Sequence, residues 1–173
     1  MSFMINLLVV PFIALSLSTS LTGKTISEGL AKAKKNGKYG LINKTGKTII
    51  PFSYDYLWDF HEGLAVAKKN GKMGMINKAG KTTIPFTYDS LENFHEGLAV
   101  ARNNGKYGLI DKTGKTIIPF EFDYVDDFNK GLAVAKKNGK YGFINKSGKT
   151  IIPFSYDYLR DFNDGLAAVK NNE

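Results

Sequence analysis

The sequence predicts an all-β chain: tandem 34-residue repeats, each a three-stranded antiparallel meander followed by a short helical or 3₁₀ connector. Gly29, Gly63, Gly97, Gly131 and Gly165 share one period, as do Pro51, Pro85, Pro119 and Pro153. Each unit holds Asn-Gly (Asn36-Gly37, Asn70-Gly71, Asn104-Gly105, Asn138-Gly139), the dipeptide favoured where both hairpin-turn residues take φ > 0. Seven residues later a second turn recurs, as in Asn77-Lys78-Ala79-Gly80 and Asp111-Lys112-Thr113-Gly114. There Asn or Asp bonds the backbone ahead, and Gly supplies the bulge that closes the hairpin. Eight such turns exclude paired helices, the rival architecture at this period.

The chain opens with no charged side chain before Lys24. Its apolar run Leu7 to Leu17, followed by Ser18, Thr19 and Ser20, reads as a secretory segment cleaved after Ser18 or Ser20. Uncleaved, Phe3 to Leu21 is long enough to anchor in a bilayer. A decayed first repeat or a misplaced start is the alternative, and it would leave the chain cytoplasmic. Residues 1–23 are set apart as a signal peptide or membrane anchor, and 27–170 as four full repeats plus a terminal partial one.

In the unit starting at Gly63 the strands are Leu64 to Lys69, Lys72 to Asn77 and Lys81 to Phe86. Pairing across Asn70-Gly71 sets Ala67 opposite Gly74 and Val66 opposite Met75. Side chains then alternate between faces. Leu64, Val66, Met73 and Met75 form a bulky core face; Ala65, Ala67, Gly74 and Ile76 form a flat one. The small residues of the flat face suit close approach by a neighbouring backbone, hence a stacking contact.

The connector, Pro51 to Glu62 in the first unit, carries Tyr54, Leu57 and Phe60 at intervals of three, which fits one helical turn. Asp55, Asp89, Asp123 and Asp157 would cap it, a contact typically worth about 1 kcal/mol. The first unit owns its initial strand, yet Leu166 to Lys170 adds one more at the C-terminus. An open solenoid-like stack accepts that strand as a cap, whereas a β-propeller-like ring, the alternative, would need to exchange it.

Charge follows position within the repeat. Of 24 Lys and Arg and 16 Asp and Glu (net +8), the connectors hold 13 acids and the hairpins 20 bases. Stacking would align Lys38, Lys72, Lys106 and Lys140 in one ridge and Lys47, Lys81, Lys115 and Lys149 in a second, candidates for binding polyanions such as glycans or phospholipids. The competing account is that these lysines keep repetitive β-edges soluble. No specific nucleic-acid binding is expected, because aromatics do not interleave with the lysines.

At Tyr39 to Phe52 (YGLINKTGKTIIPF), followed by Tyr54-Asp55 and Glu62-Gly63-Leu64-Ala65, the chain resembles the WG-repeat, or KWG, family of bacterial proteins. The family tryptophan is replaced by Tyr39, Met73, Tyr107 and Tyr141; the one Trp, Trp58, lies in a connector and should pack against the adjacent unit. The resemblance implies a β-rich repeat of variable copy number, often behind an export signal, and brings no catalytic residues.

The absence of Cys removes disulfides and thiolate chemistry, and His61 and His95 read as surface polar positions. No nucleophile or base appears with an orienting partner, and no spaced metal motif is present. Neither catalytic, cofactor-binding nor metal residues are assigned, and no cofactor is expected. The expected function is a non-catalytic binding or scaffold protein, exported or envelope-associated. Its partner would be an unknown protein or an envelope polymer, met on the face that the stacked repeats build together, with a possible tether through residues 1–23. Polyanion binding through the lysine ridges is the alternative.

Overall fold

Alternation between turns that force hairpins and strands that bury both faces produces a row of small antiparallel sheets. A computed structural model describes residues 29–159 and 169–170; residues 1–23 and most of 160–173, including the leader and Leu166 to Ala168 of the expected last strand, lie outside the described residues. The first sheet has three strands, β1 (Leu30–Lys35), β2 (Lys38–Asn43) and β3 (Thr48–Tyr54). The second has four: β4 (Tyr56–Leu57), β5 (Leu64–Lys69), β6 (Lys72–Asn77) and β7 (Thr82–Tyr88). The third repeats this with β8 (Ser90–Leu91), β9 (Leu98–Asn103), β10 (Lys106–Asp111) and β11 (Thr116–Phe122). The fourth does so with β12 (Tyr124–Val125), β13 (Leu132–Lys137), β14 (Lys140–Asn145) and β15 (Thr150–Tyr156). A last pair joins β16 (Tyr158–Leu159) to β17 (Val169–Lys170).

The hairpin chemistry is as the sequence requires. Asn70 and Gly71 both take positive φ (52° and 79°), the requirement of a type I′ turn, and Ala67 pairs with Gly74 and Val66 with Met75. At the second turn Gly80 N–H donates to the Asn77 carbonyl at 2.8 Å, while Asn77 Oδ1 accepts from the Ala79 and Lys81 amides, each at 3.0 Å.

The connectors depart from expectation, for no helix occurs among the described residues. Each instead supplies the short first strand of the next sheet, so a complete sheet has four strands rather than three. The Asp55 amide donates to the Lys68 carbonyl at 2.8 Å and the Trp58 amide to the Val66 carbonyl at 3.0 Å, across to β5 rather than back along the chain. The three-residue spacing of Tyr54, Leu57 and Phe60 arises because a bend at Asp55 interrupts strand alternation. Tyr54 and Leu57 both face inward from different sheets.

Burial joins the two faces into one repeating interface. Leu41, Ile50 and Tyr54 of the first sheet pack on Leu57, Ala65, Ala67 and Ile76 of the second. Val66, Met75, Ile84 and Tyr88 then pack on Leu91, Ala99, Ala101 and Ile110 of the third. The next interface repeats the registers, with Leu109, Phe122 and Val125 in place of Met75, Tyr88 and Leu91. The bulky face of each sheet thus lies on the flat face of its successor. The glycine opposite each alanine has a different purpose from the one the sequence suggests. A Cβ on Gly74 would lie 2.6 Å from the Ile84 carbonyl oxygen and 2.9 Å from Pro85 carbonyl atoms. What crowds it is a bulge in its own sheet, where the β6–β7 register shifts between Met73 and Met75.

Candidate functional site

The lysine column Lys38, Lys72, Lys106 and Lys140 lines up as expected, but each ammonium is engaged. It meets the connector aspartate 17 residues on: Lys72 with Asp89 and Lys106 with Asp123, each at 2.5 Å, Lys38 with Asp55, and Lys140 with Asp157. The other oxygen of Asp55 accepts from the Gly71 amide at 3.0 Å; Asp89 and Asp123 do the same for Gly105 and Gly139. These aspartates therefore staple one sheet to the Asn-Gly turn of the next, in place of the helix-capping role expected. Lysine hydrogen bonding and the turn amide hold Asp55, Asp89 and Asp123 below the ordinary carboxylate range.

The second column behaves differently. Lys47, Lys81, Lys115 and Lys149 are all exposed, and none forms an ion pair among the described residues. Their backbone amides serve the turns, donating to Asn43, Asn77, Asp111 and Asn145, which leaves the ammonium groups in solvent. The two ridges thus differ in availability, a distinction that residue type alone does not carry.

A site not anticipated from the sequence lies between the second and third sheets. At the first interface the rings of Tyr39 and Tyr56 meet at a tilt of 59° with centroids 5.1 Å apart; Tyr107 and Tyr124 meet edge to face at 5.9 Å, and Tyr141 and Tyr158 at 6.4 Å. The same positions at the second interface are Met73 and Ser90. Where two rings are missing a notch of about 310 Å³ opens, lined by Trp58, Val66, Met73, Leu91, Glu92, Asn93 and His95. Trp58 is half-buried against the core between these sheets, in keeping with the packing expected of it. Burial and the neighbouring Asp127 and Asp126 carboxylates push Glu92 up to about 7. Burial first, then Asp126, pushes the Tyr124 hydroxyl up to about 12. Among the described residues no three His, Asp or Glu side chains converge as a metal site, and no helix is long and apolar enough to cross a membrane.

The model of the WG containing repeat matches residues 24–39, 39–72, 73–107, 107–141 and 141–173. The chain belongs to the WG-repeat family. In these WG repeats the position that names the family is the half-buried, core-side member of the inter-sheet ring pair, held by Tyr39, Tyr107 and Tyr141 and lost at Met73, while the partners Tyr56, Tyr124 and Tyr158 are exposed. No match was found among curated proteins. A solved structure described as a eukaryotic initiation factor superimposes at a TM-score of 0.48 and 10% identity, over 82% of this chain and 47% of that one. Another, from work on the de novo evolutionary emergence of a symmetrical protein, gives 0.34 and 12%, over 83% of this chain and 74% of that one. The WG chain thus spans about half the length of the first.

Proposed function

We propose that this WG-repeat chain is a non-catalytic binding or scaffold protein, exported or envelope-associated, whose sheets stack as an open array. Supporting this reading is the way the interfaces consume both faces of each inner sheet, which leaves turns and strand edges as the repeated outer surface. A surface of that kind gathers affinity from many weak copies of one contact. A second reading, attraction of an anionic envelope polymer, is favoured by one observation: Lys47, Lys81, Lys115 and Lys149 are exposed and form no ion pairs among the described residues.

The test is capture from envelope fractions at about 50 and 300 mM salt, using the natural chain and a variant with all four of these lysines changed to Gln. Capture that survives salt and substitution supports a scaffold for a protein partner. Capture lost under both supports the polymer reading. No capture from any envelope fraction would refute the envelope role.

A further inference from the structure

The first inter-sheet interface contains a cation site filled from within. Lys32 Nζ donates to the Leu57 carbonyl at 3.1 Å, pairs with Asp59 at 3.3 Å and sits 5.6 Å from the Tyr56 ring centroid. One period later the corresponding residues are Val66, Leu91, Asn93 and Ser90. The lysine has become a short apolar side chain, and the ring over it has become a serine. The strand geometry that presents the carbonyl is retained, since Leu57 pairs with Ala67 as Leu91 pairs with Ala101. The carboxylate that Asp59 supplies is lost to the neutral Asn93, while Glu92, at the register of Trp58 one period on, brings a carboxylate to the lining of the notch.

We propose that the notch between the second and third sheets binds a small primary alkylammonium ion, which takes the place the Lys32 side chain fills one interface earlier. Four observations carry this. The notch exists because the internal cation and two rings are absent there. Trp58, Val66, Met73 and Leu91 give it an apolar body, and Glu92 and Asn93 give it polar acceptors. Glu92, which lines the notch, forms no ion pair among the described residues, and neither do its neighbours Asp126 and Asp127 on the connector of the fourth sheet. Every other acid described pairs with a lysine or, for Asp111, bonds its own turn. The basic side chains here face other acids: Lys68 acts on Asp55, Arg102 acts on Asp89 and sits 5.6 Å from the Tyr107 ring centroid, and His95, in the lining itself, acts on Glu62. Crowding of Glu92 by Asp127 is relieved when a bound cation supplies the missing charge.

Trp58 is the single tryptophan of the chain and lines the notch, so its emission reports occupancy directly. The probe is n-butylammonium, which has the atoms of a lysine side chain, compared with neutral n-pentanol at matched ionic strength. The charged probe is expected to change Trp58 emission saturably, with the alcohol weaker by about tenfold. Glu92→Gln should weaken butylammonium about fivefold, less than a fully buried charge would, because Glu92 keeps part of its surface in water. Val66→Lys rebuilds the internal ammonium and should abolish binding with the far-ultraviolet spectrum unchanged. Should Val66→Lys disturb the fold, Glu92→Gln decides alone. Equal response to both probes, no saturable response by about 0.1 M, or binding untouched by Glu92→Gln would overturn the proposal. None of these results bears on salt-dependent capture by the lysine column, so the two readings fail separately.

Discussion

Replacing Gly74 by Ala separates two explanations for the small residue at the centre of every sheet. The added Cβ would meet the Ile84 carbonyl oxygen at 2.6 Å and the Pro85 carbonyl carbon and oxygen at 2.9 Å. All three are backbone atoms of the β7 bulge, so no side-chain rotation relieves the contact. Overpacking of this kind costs roughly 1–3 kcal/mol, and rigid backbone places it near about 3. Loss of glycine freedom in the unfolded chain returns about 0.4–1 kcal/mol, leaving a net destabilisation of about 2 kcal/mol. Urea unfolding followed by far-ultraviolet circular dichroism and Trp58 emission measures it as a lower midpoint.

The decisive comparison is Gly40→Ala. In the first sheet no other sheet covers the flat face among the described residues, and Ala31 is exposed and Ala33 only half-buried, yet a Cβ on Gly40 would still lie 2.5 Å from the Ile50 carbonyl oxygen. If the sheet's own bulge is the cause, Gly40→Ala and Gly74→Ala cost alike. A neutral Gly40→Ala beside a damaging Gly74→Ala would refute this and return the cause to the neighbouring sheet. A loss under about 0.5 kcal/mol at both sites would refute the steric argument altogether.

Two further outcomes follow from the charged groups. Asp89→Asn breaks the staple between Lys72 and the Gly105 amide and should lower the urea midpoint at neutral pH. Because Asp89 titrates below its ordinary value, its contribution is present above that ordinary value and fades as pH falls through the lowered one, so the two midpoints should converge in acid. Glu92 has the opposite sign. Raised to about 7, it holds its proton in the folded chain where the unfolded chain has released it, so stability falls as pH rises from the ordinary glutamate range through about 7. Glu92→Gln should therefore melt higher than the natural chain at pH 8, and the difference should vanish near pH 4.5. A difference independent of pH would contradict the crowding of Glu92 by Asp127 and Asp126.

Much of this architecture is written in short-range chemistry. Asn70-Gly71 and Asn77 to Gly80 each constrain the backbone within four residues, so turns, register and the division of faces follow from sequence alone. The connector was not legible in the same way. Tyr56–Leu57 is too short a strand to show alternation, and its partner, Ala67 with Lys68, lies across a loop. Asp55 resembles a cap because the same oxygens that accept from helix amides here accept from Lys38 and the Gly71 amide. The notch was half visible. Met73 stands out within its column of tyrosines, but its meaning needs Val66 and Ser90 placed beside it, and only the stacking of sheets does that. Comparing columns 17 residues apart finds both the ring pairs and the lysine–aspartate pairs, a signal that the 34-residue period alone conceals.

The short strands β4, β8 and β12 are encoded just after each Pro-Phe, at the tail of one sequence period, yet they complete the sheet made by the next. The genetic unit and the folded unit are thus out of phase. An insertion or deletion of one whole period, wherever its breakpoints fall, restores every sheet with all its strands. Evolution can lengthen or shorten such a chain by unequal exchange without first finding a boundary, while a graft cut at the visible repeat edges would carry one sheet's opening strand into a stranger.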